Sequence, residues 1–303
     1  MSAPVVLLSG GTGGAKLARG LLDAADELVA IVNTGDDVEA YGGHVSPDPD
    51  LVTFWLADRI DPRGWGLRDD TFHVMAGLRE LGDDVWFNLG DRDLAYCLRR
   101  ARRLAEGATL TQAVGEQAAA FGVTARVLPM CDEPVRTRVR ANDTWLGVQE
   151  YLIREKTPEP IQGVEFDGAG AARPTAAVLE AIAGAEAIVI GPSNPILSIG
   201  PILAVPGLRD ALRAASAPVI GVSPIVRGEV VKGPTRPFLA WAGVEATGQG
   251  VAGHYGDLLD GWVCDERFDD PGVPLLVTDT DMATPEARAR LAGEVLGFAR
   301  SLA

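Results

Sequence analysis

The sequence predicts an α/β fold: a doubly wound, mostly parallel sheet carrying a helical insertion. Three observations predict it. An apolar run, Val5-Val6-Leu7-Leu8, meets a glycine cluster, Gly10-Gly11-Thr12-Gly13-Gly14, and an amphipathic stretch follows over 15–25. A second apolar run over 28–32 ends in Asn33-Thr34-Gly35-Asp36-Asp37. Later apolar runs, Ile188-Val189-Ile190 and Val219-Ile220-Gly221-Val222, read as strands buried on both faces.

The elements follow in order. Residues 1–37 read as strand, tight turn, helix, strand. Residues 38–49 are rich in Gly and Pro and read as a loop. Helical patterns then occupy 50–58, 70–81, 93–106 and 109–121, separated by turn signals such as Asp61-Pro62-Arg63-Gly64. These four helices form an insertion over 50–122 within a single domain spanning 1–303. Strand signals return at 125–128, 136–140 and 163–166. The β-α alternation resumes with strands at 185–190, 218–222 and 275–277, and helices at 201–214, 236–242 and 285–301. Proline in the first helical turn suits Pro201 and Pro285. The architecture is Rossmann-like, and its ligand crevice belongs at the carboxyl ends of the strands.

A chain of 303 residues, 47% hydrophobic with 36 glycines, can bury a large core. The net charge of −15 argues against nucleic acid as a partner, because binding a phosphate backbone needs a basic face. An anionic substrate needs local Arg, Lys or metal. Cys97, Cys131 and Cys264 form no C-x-x-C pair, so structural zinc and a disulfide framework are not expected. No signal peptide is evident, and the apolar stretch over 185–205 is broken by three prolines. A reduced, cytoplasmic setting without membrane attachment is expected.

The glycine turn points to a phosphate-bearing ligand. Glycines admit a close ligand, and a helix start offers free N–H groups at a positive dipole end. Gly10, Gly11, Thr12, Gly13, Gly14 and Lys16 are the candidates. A dinucleotide fingerprint is absent, since its third glycine position holds Lys16. A Walker loop is absent too, since Lys16 follows Ala15.

Asp36, Asp37, Asp48 and Asp50 lie within fifteen residues. Hard oxygen ligands with scattered histidines suit Mg²⁺, which takes one or two carboxylates plus substrate phosphate. The alternative duty is turn formation and capping, with Asp50 as a helix cap. In Gly90-Asp91-Arg92-Asp93, Arg92 is either an ion-paired element of a helix start or a fork for phosphate or an acidic heterocycle. Ser193 and Asn194, in Gly191-Pro192-Ser193-Asn194-Pro195, expose a hydroxyl and an amide after a buried strand. Ser223-Pro224-Ile225 is a later cousin. Trp65, in Arg63-Gly64-Trp65-Gly66, belongs to the core or lines a flat ligand.

These motifs occur in this order in the 2-phospho-L-lactate transferase family (CofD), which the chain resembles from its first strand to Asp265-Glu266-Arg267. The resemblance implies a Rossmann-like core, commonly dimeric, and an Mg²⁺-dependent step in the making of the deazaflavin coenzyme F-420. A phospholactyl or phosphoenolpyruvyl-type group passes from a guanosine diphosphate-linked donor to the terminal ribityl hydroxyl of the deazaflavin FO, and GMP leaves. By matched motif, Asp50 and Arg92 contact FO, with Asp50 orienting or deprotonating its hydroxyl. Trp65 is the candidate flat contact. Asp36, Asp48 and Asp50 surround the metal. The glycine loop, Ser193, Asn194 and Ser223 hold the guanylyl donor. One departure is visible: the family's Pro-Asp-Leu-Asp-Thr reads Pro47-Asp48-Pro49-Asp50-Leu51 here, so the threonine hydroxyl is missing. The nearest rival is a nucleotide-sugar-binding regulatory protein of the same fold. A dehydrogenase is more distant, because of Lys16.

Overall fold

The computed structural model describes residues 2–231, 233–269 and 272–303. Its centre is a seven-stranded sheet: β1 Val5–Ser9, β2 Leu28–Val32, β3 Arg126–Pro129, β4 Ala187–Ile190, β5 Val219–Val222, β6 Gly261–Cys264 and β7 Leu275–Val277. The spatial order is β7-β6-β5-β4-β1-β2-β3, and every pairing is parallel. Read from β3, this is 3-2-1-4-5-6-7, the doubly wound order with one added strand.

The continuous apolar runs exist because both sheet faces are covered. Val6, Leu8, Val29 and Ile31 face one core, while Val5, Leu7, Ala30 and Val32 face the other. Neighbouring strand residues point to opposite faces, so a run without polar breaks can serve two cores at once. Helix α1, Gly11–Ala24, crosses one face and packs against the closing helix Pro285–Leu302. A Cβ at Gly20 would stand 2.5 Å from the Arg288 carbonyl, so that contact needs glycine.

Between β2 and β3 the chain forms α2 Pro47–Leu56, α3 His73–Glu80, α4 Asp91–Ala105 and α5 Leu110–Ala120. Thr109 and Gln112 cap α5 reciprocally, which fixes its start. Helix α2 begins three residues earlier than the pattern suggested, with Pro47 in its first turn and both Asp48 and Asp50 helical. The expected loop over 38–49 contains a short antiparallel hairpin, Val38–Ala40 with Gly43–Val45. Strands Arg136–Ala141 and Gly163–Asp167 pair with each other in a separate antiparallel sheet that also holds Thr144–Gly147. The expected single helix over 201–214 is broken into Gly200–Ala204 and Leu208–Ala214, because Gly207 adopts a left-handed φ of 93°. Among the described residues no single helix is long and apolar enough to cross a membrane.

Candidate functional site

The strand order reverses between β1 and β4, and a cleft of about 520 Å³ opens at the carboxyl ends there. The β1–α1 turn forms its floor. The loop after β4, Ser223-Pro224 after β5 and Thr280–Met282 after β7 form one wall. Trp65 and Ile153 stand on others.

The glycines at the floor serve two purposes. A Cβ on Gly13 would lie 1.9 Å from the Pro192 carbonyl oxygen. One on Gly14 would lie 2.4 Å from Ser9 Oγ and 2.7 Å from Ser193 Oγ. These two glycines let α1 pack directly on the β4 loop, which is a packing role rather than ligand access. Gly11 is different: its φ is 61° and its Cβ direction is nearly open. The Gly10 N–H donates to Ser193 Oγ at 3.4 Å. Thr12 and Lys16, one and five positions beyond Gly11 on α1, line the cleft.

Beside this floor sits an acidic pair. Asn33, fully buried just after β2, donates from Nδ2 to Asp36 Oδ1 at 3.0 Å and to Asp48 Oδ2 at 2.9 Å. The other Asp48 oxygen accepts the Gly11 N–H at 2.7 Å. Burial, and for Asp36 the charge of Asp48, pushes both carboxyls above the usual carboxylate range. Asp37 is turned away to His44 Nε2 at 2.9 Å and to the Ser46 hydroxyl at 2.7 Å, which steadies the approach to α2.

Asp50 is not brought to the cleft. Its two oxygens accept from both terminal nitrogens of Arg100, and Oδ1 also accepts from Gln117 Nε2 at 2.7 Å. All three residues are buried between α2, α4 and α5. In this geometry the Asp50 carboxylate, expected at acceptor and metal, is held by Arg100 and Gln117. Asp50, Asp93 and Cys97 do place ligand-type atoms within 4.8 Å of one another, but Arg100 already neutralises Asp50.

Arg92 stands apart as well. Its guanidinium donates to the Arg68 carbonyl and lies 3.7 Å from Asp70. It lines a separate depression of about 240 Å³ with Arg59, Arg68 and Tyr96. The segment Gly64-Trp65-Gly66-Leu67 divides the two spaces: Gly64 and Trp65 line the cleft, and Leu67 lines the depression. Trp65 is 43% exposed, with the Arg63 guanidinium stacked 4.3 Å from its ring.

Ser193, Asn194 and Ser223 all line the cleft. Asn194 spends its carbonyl oxygen on the Ile196 and Leu197 N–H groups. The Ser223 hydroxyl bonds within its own turn, to Ile225. Sequence reasoning missed three groups. Asn33 was read as part of a motif, with no sign that it clamps the acidic pair. Arg100 lies inside an arginine-rich helix, and nothing in its spacing sets it apart from Arg99, Arg102 and Arg103. Thr280 follows the last strand; it is 2% exposed, and its hydroxyl has no partner.

A family model described as "2-phospho-L-lactate transferase CofD" matches residues 5–274. A phosphoenolpyruvate transferase from Kitasatospora aureofaciens is 42% identical over 310 residues, covering 95% of this chain and 97% of that protein. A 2-phospho-L-lactate transferase from Methanosarcina mazei is 37% identical over 298 residues, covering 95% of this chain and 98% of that protein. A crystal structure of a UPF0052-family protein from Bacillus halodurans shares the fold with a TM-score of 0.65. It covers 97% of this chain and 100% of that one at 20% identity.

Proposed function

Since the chain belongs to the 2-phospho-L-lactate transferase (CofD) family, we propose that it transfers a phosphoenolpyruvyl or phospholactyl group from a guanosine diphosphate-linked donor to the ribityl hydroxyl of FO. The acceptor oxygen bonds to the phosphorus that carries the three-carbon group. The bond from that phosphorus to the GMP oxygen breaks, and the hydroxyl proton is released. The step belongs to the making of coenzyme F-420. A homodimer, expected from the resemblance, is part of the proposal and is checked by light scattering. The regulatory nucleotide-sugar reading is not favoured, because the relatives are named transferases along nearly their whole length.

The observation that carries the reading is the acidic pair, Asp36 and Asp48, set against the start of α1 at the strand reversal. Phosphoryl transfer asks a protein for position and charge compensation more than for covalent chemistry. The donor set fits Mg²⁺. Two buried carboxylates share one amide, repel each other and sit beside the place for phosphate. Asp36 and Asp48 would hold the ion, and Asp50, committed to Arg100, would not. Bound there, Mg²⁺ would offset charge on the donor's phosphate oxygens.

The chain's own groups supply the rest. The first turn of α1, with Thr12, Lys16 and Ser193, faces the donor phosphates. Asn194 and Ser223 stand along the nucleotide. Trp65 offers a flat face to the deazaflavin, and Arg92 reaches the acceptor from the far side of the Trp65 segment. Asp50 acts indirectly, by fixing the helix that carries Asp48. Of the two donors the enolpyruvyl form is favoured: relatives named for it stand at 42%, 41% and 40% identity, against 37% for those named for phospholactate.

The test incubates the purified protein with FO, Mg²⁺ and each guanosine diphosphate-linked donor in turn, with GMP and the deazaflavin product read by mass spectrometry. Transfer that stops with a chelator is expected, faster from the enolpyruvyl donor. A folded protein that gives no transfer from either donor would overturn the reading.

A further inference from the structure

The first N–H of α1, one of those that would receive a phosphate, is already taken. A helix N-terminus attracts anions through its free N–H groups, and in this protein the anion is Asp48. Its Oδ1 takes the Gly11 N–H at 2.7 Å. The fit is built in: a Cβ on Gly10 would stand 2.7 Å from Asp48 Oδ2 and 2.6 Å from Ser198 Cβ, so only glycine lets the carboxylate lie against the helix start. Asn33 holds Oδ2, and Pro47 and Pro49 flank Asp48 in the first turn of α2. The turn is anchored from behind by Asp50 and Arg100. An independent observation marks the same cleft as a ligand site: Thr280, 2% exposed on its wall, has an unpartnered hydroxyl.

We infer that Asp48 is a resident occupant of the phosphate seat at Gly11, so that a phosphate-bearing ligand binds more tightly once a divalent cation takes over the Asp48 carboxylate. The inference rests on the guanylyl-donor reading of the cleft. Two like charges cannot share one N–H group, and Asp36, on the same Asn33 amide, adds to the repulsion. A cation between carboxylates and phosphate converts that repulsion into attraction. Binding of nucleotide and binding of cation then strengthen each other by the same factor. Cation dependence is thus a property of ligand entry, separate from the chemical step.

The experiment is calorimetry on the full chain, with GDP and with inorganic pyrophosphate as probes, in chelator and in Mg²⁺. In the unmodified protein GDP is expected to bind at least about tenfold more tightly with Mg²⁺. Asp48→Ala empties the seat, so GDP binding in chelator should tighten about tenfold, with Mg²⁺ adding under about twofold. Asp48→Asn keeps a neutral acceptor on Gly11 and should fall between. Circular dichroism verifies that each variant is folded. Equal GDP affinity with and without Mg²⁺ in the unmodified protein overturns the inference. So does a folded Asp48→Ala that binds GDP no better in chelator, or an Asp36→Asn that tightens binding as much as Asp48→Ala. Pyrophosphate separates the two readings. If pyrophosphate shows the linkage while GDP does not bind, the seat stands and the guanylyl reading fails. If GDP binds without linkage, the guanylyl reading stands and the seat fails.

Discussion

Arg100 of α4 and Asp50 of α2 form a two-armed ion pair whose side chains are 1% and 6% exposed. The Arg100 guanidinium also donates to the His44 carbonyl at 2.9 Å and to Gln117 Oε1 at 2.8 Å. One buried cation thus ties α4 and α5 to the segment that delivers Asp48 to the cleft. Removing one partner leaves a buried charge unpaired, which costs about 3–5 kcal/mol. Arg100→Met and Asp50→Ala are each expected to lose that much in urea denaturation. The double replacement Arg100→Met with Asp50→Leu should recover most of it. Equal losses in the single and double variants would show that the charge is not the cause.

Asp93 makes stability depend on pH. Burial and the charge of Asp50 push its carboxyl up to about 7, against the pull of Arg100. Unfolded, it titrates near the ordinary value of about 3.9. Between those values the folded chain holds a proton that the unfolded chain has lost. Stability from this group is therefore complete below about pH 4 and lost as pH rises through about 7, with a slope of at most about 1.4 kcal/mol per pH unit. Asp93→Asn stays neutral, so its stability should fall less across that window and exceed that of the unmodified protein at pH 8. Denaturation midpoints at four pH values decide it; an unchanged slope would refute the assignment.

Two glycines give opposite expectations. Gly13→Ala drives a methyl group to 1.9 Å from the Pro192 carbonyl, so α1 must part from the β4 loop. A loss of at least about 1–3 kcal/mol is expected, along with weaker GDP binding. Gly77 lies in the middle of α3 with nothing within 4 Å of its Cβ direction. Gly77→Ala should therefore stabilise by about 0.5–1 kcal/mol, through the conformational freedom that glycine loses in a helix. Thermal melts of the two variants check both signs.

The central strands were legible because burial on both faces leaves runs such as Val5-Val6-Leu7-Leu8 without polar breaks. β6 was not, because Gly261-Trp262-Val263-Cys264 is four residues long, begins with glycine and is flanked by Asp260 and Asp265. The glycine turn, the acidic cluster and the Ser193 and Ser223 loops were legible as clusters that follow strands. The split between Asp48 and Asp50 was not. Once α2 starts at Pro47, residues two apart lie about 200° apart around the helix axis. Asp48 then meets the cleft while Asp50 meets α4. The motif match placed both on one metal because a motif carries no information on which face of the helix each carboxylate takes.

Trp65 and Arg92 test the acceptor side of the proposal. The Trp65 ring is 43% exposed and its described ring partner is Arg63, so Trp65→Ala should shift stability by less than about 1 kcal/mol. The same change should weaken FO binding about tenfold, since stacking a ring on an aromatic face contributes roughly 1–3 kcal/mol. GDP binding should stay within about twofold, because the α1 turn and Ser193 are untouched. Arg92 has a half-exposed side chain on the other side of Gly64-Trp65-Gly66-Leu67. If one acceptor reaches across that segment, Arg92→Ala weakens FO binding too and spares GDP. Fluorescence titrations of FO and calorimetry of GDP on both variants separate the cases. Loss of FO affinity in Trp65→Ala alone would confine the acceptor to the main cleft. Loss of GDP affinity in either variant would mean that these residues serve the donor instead.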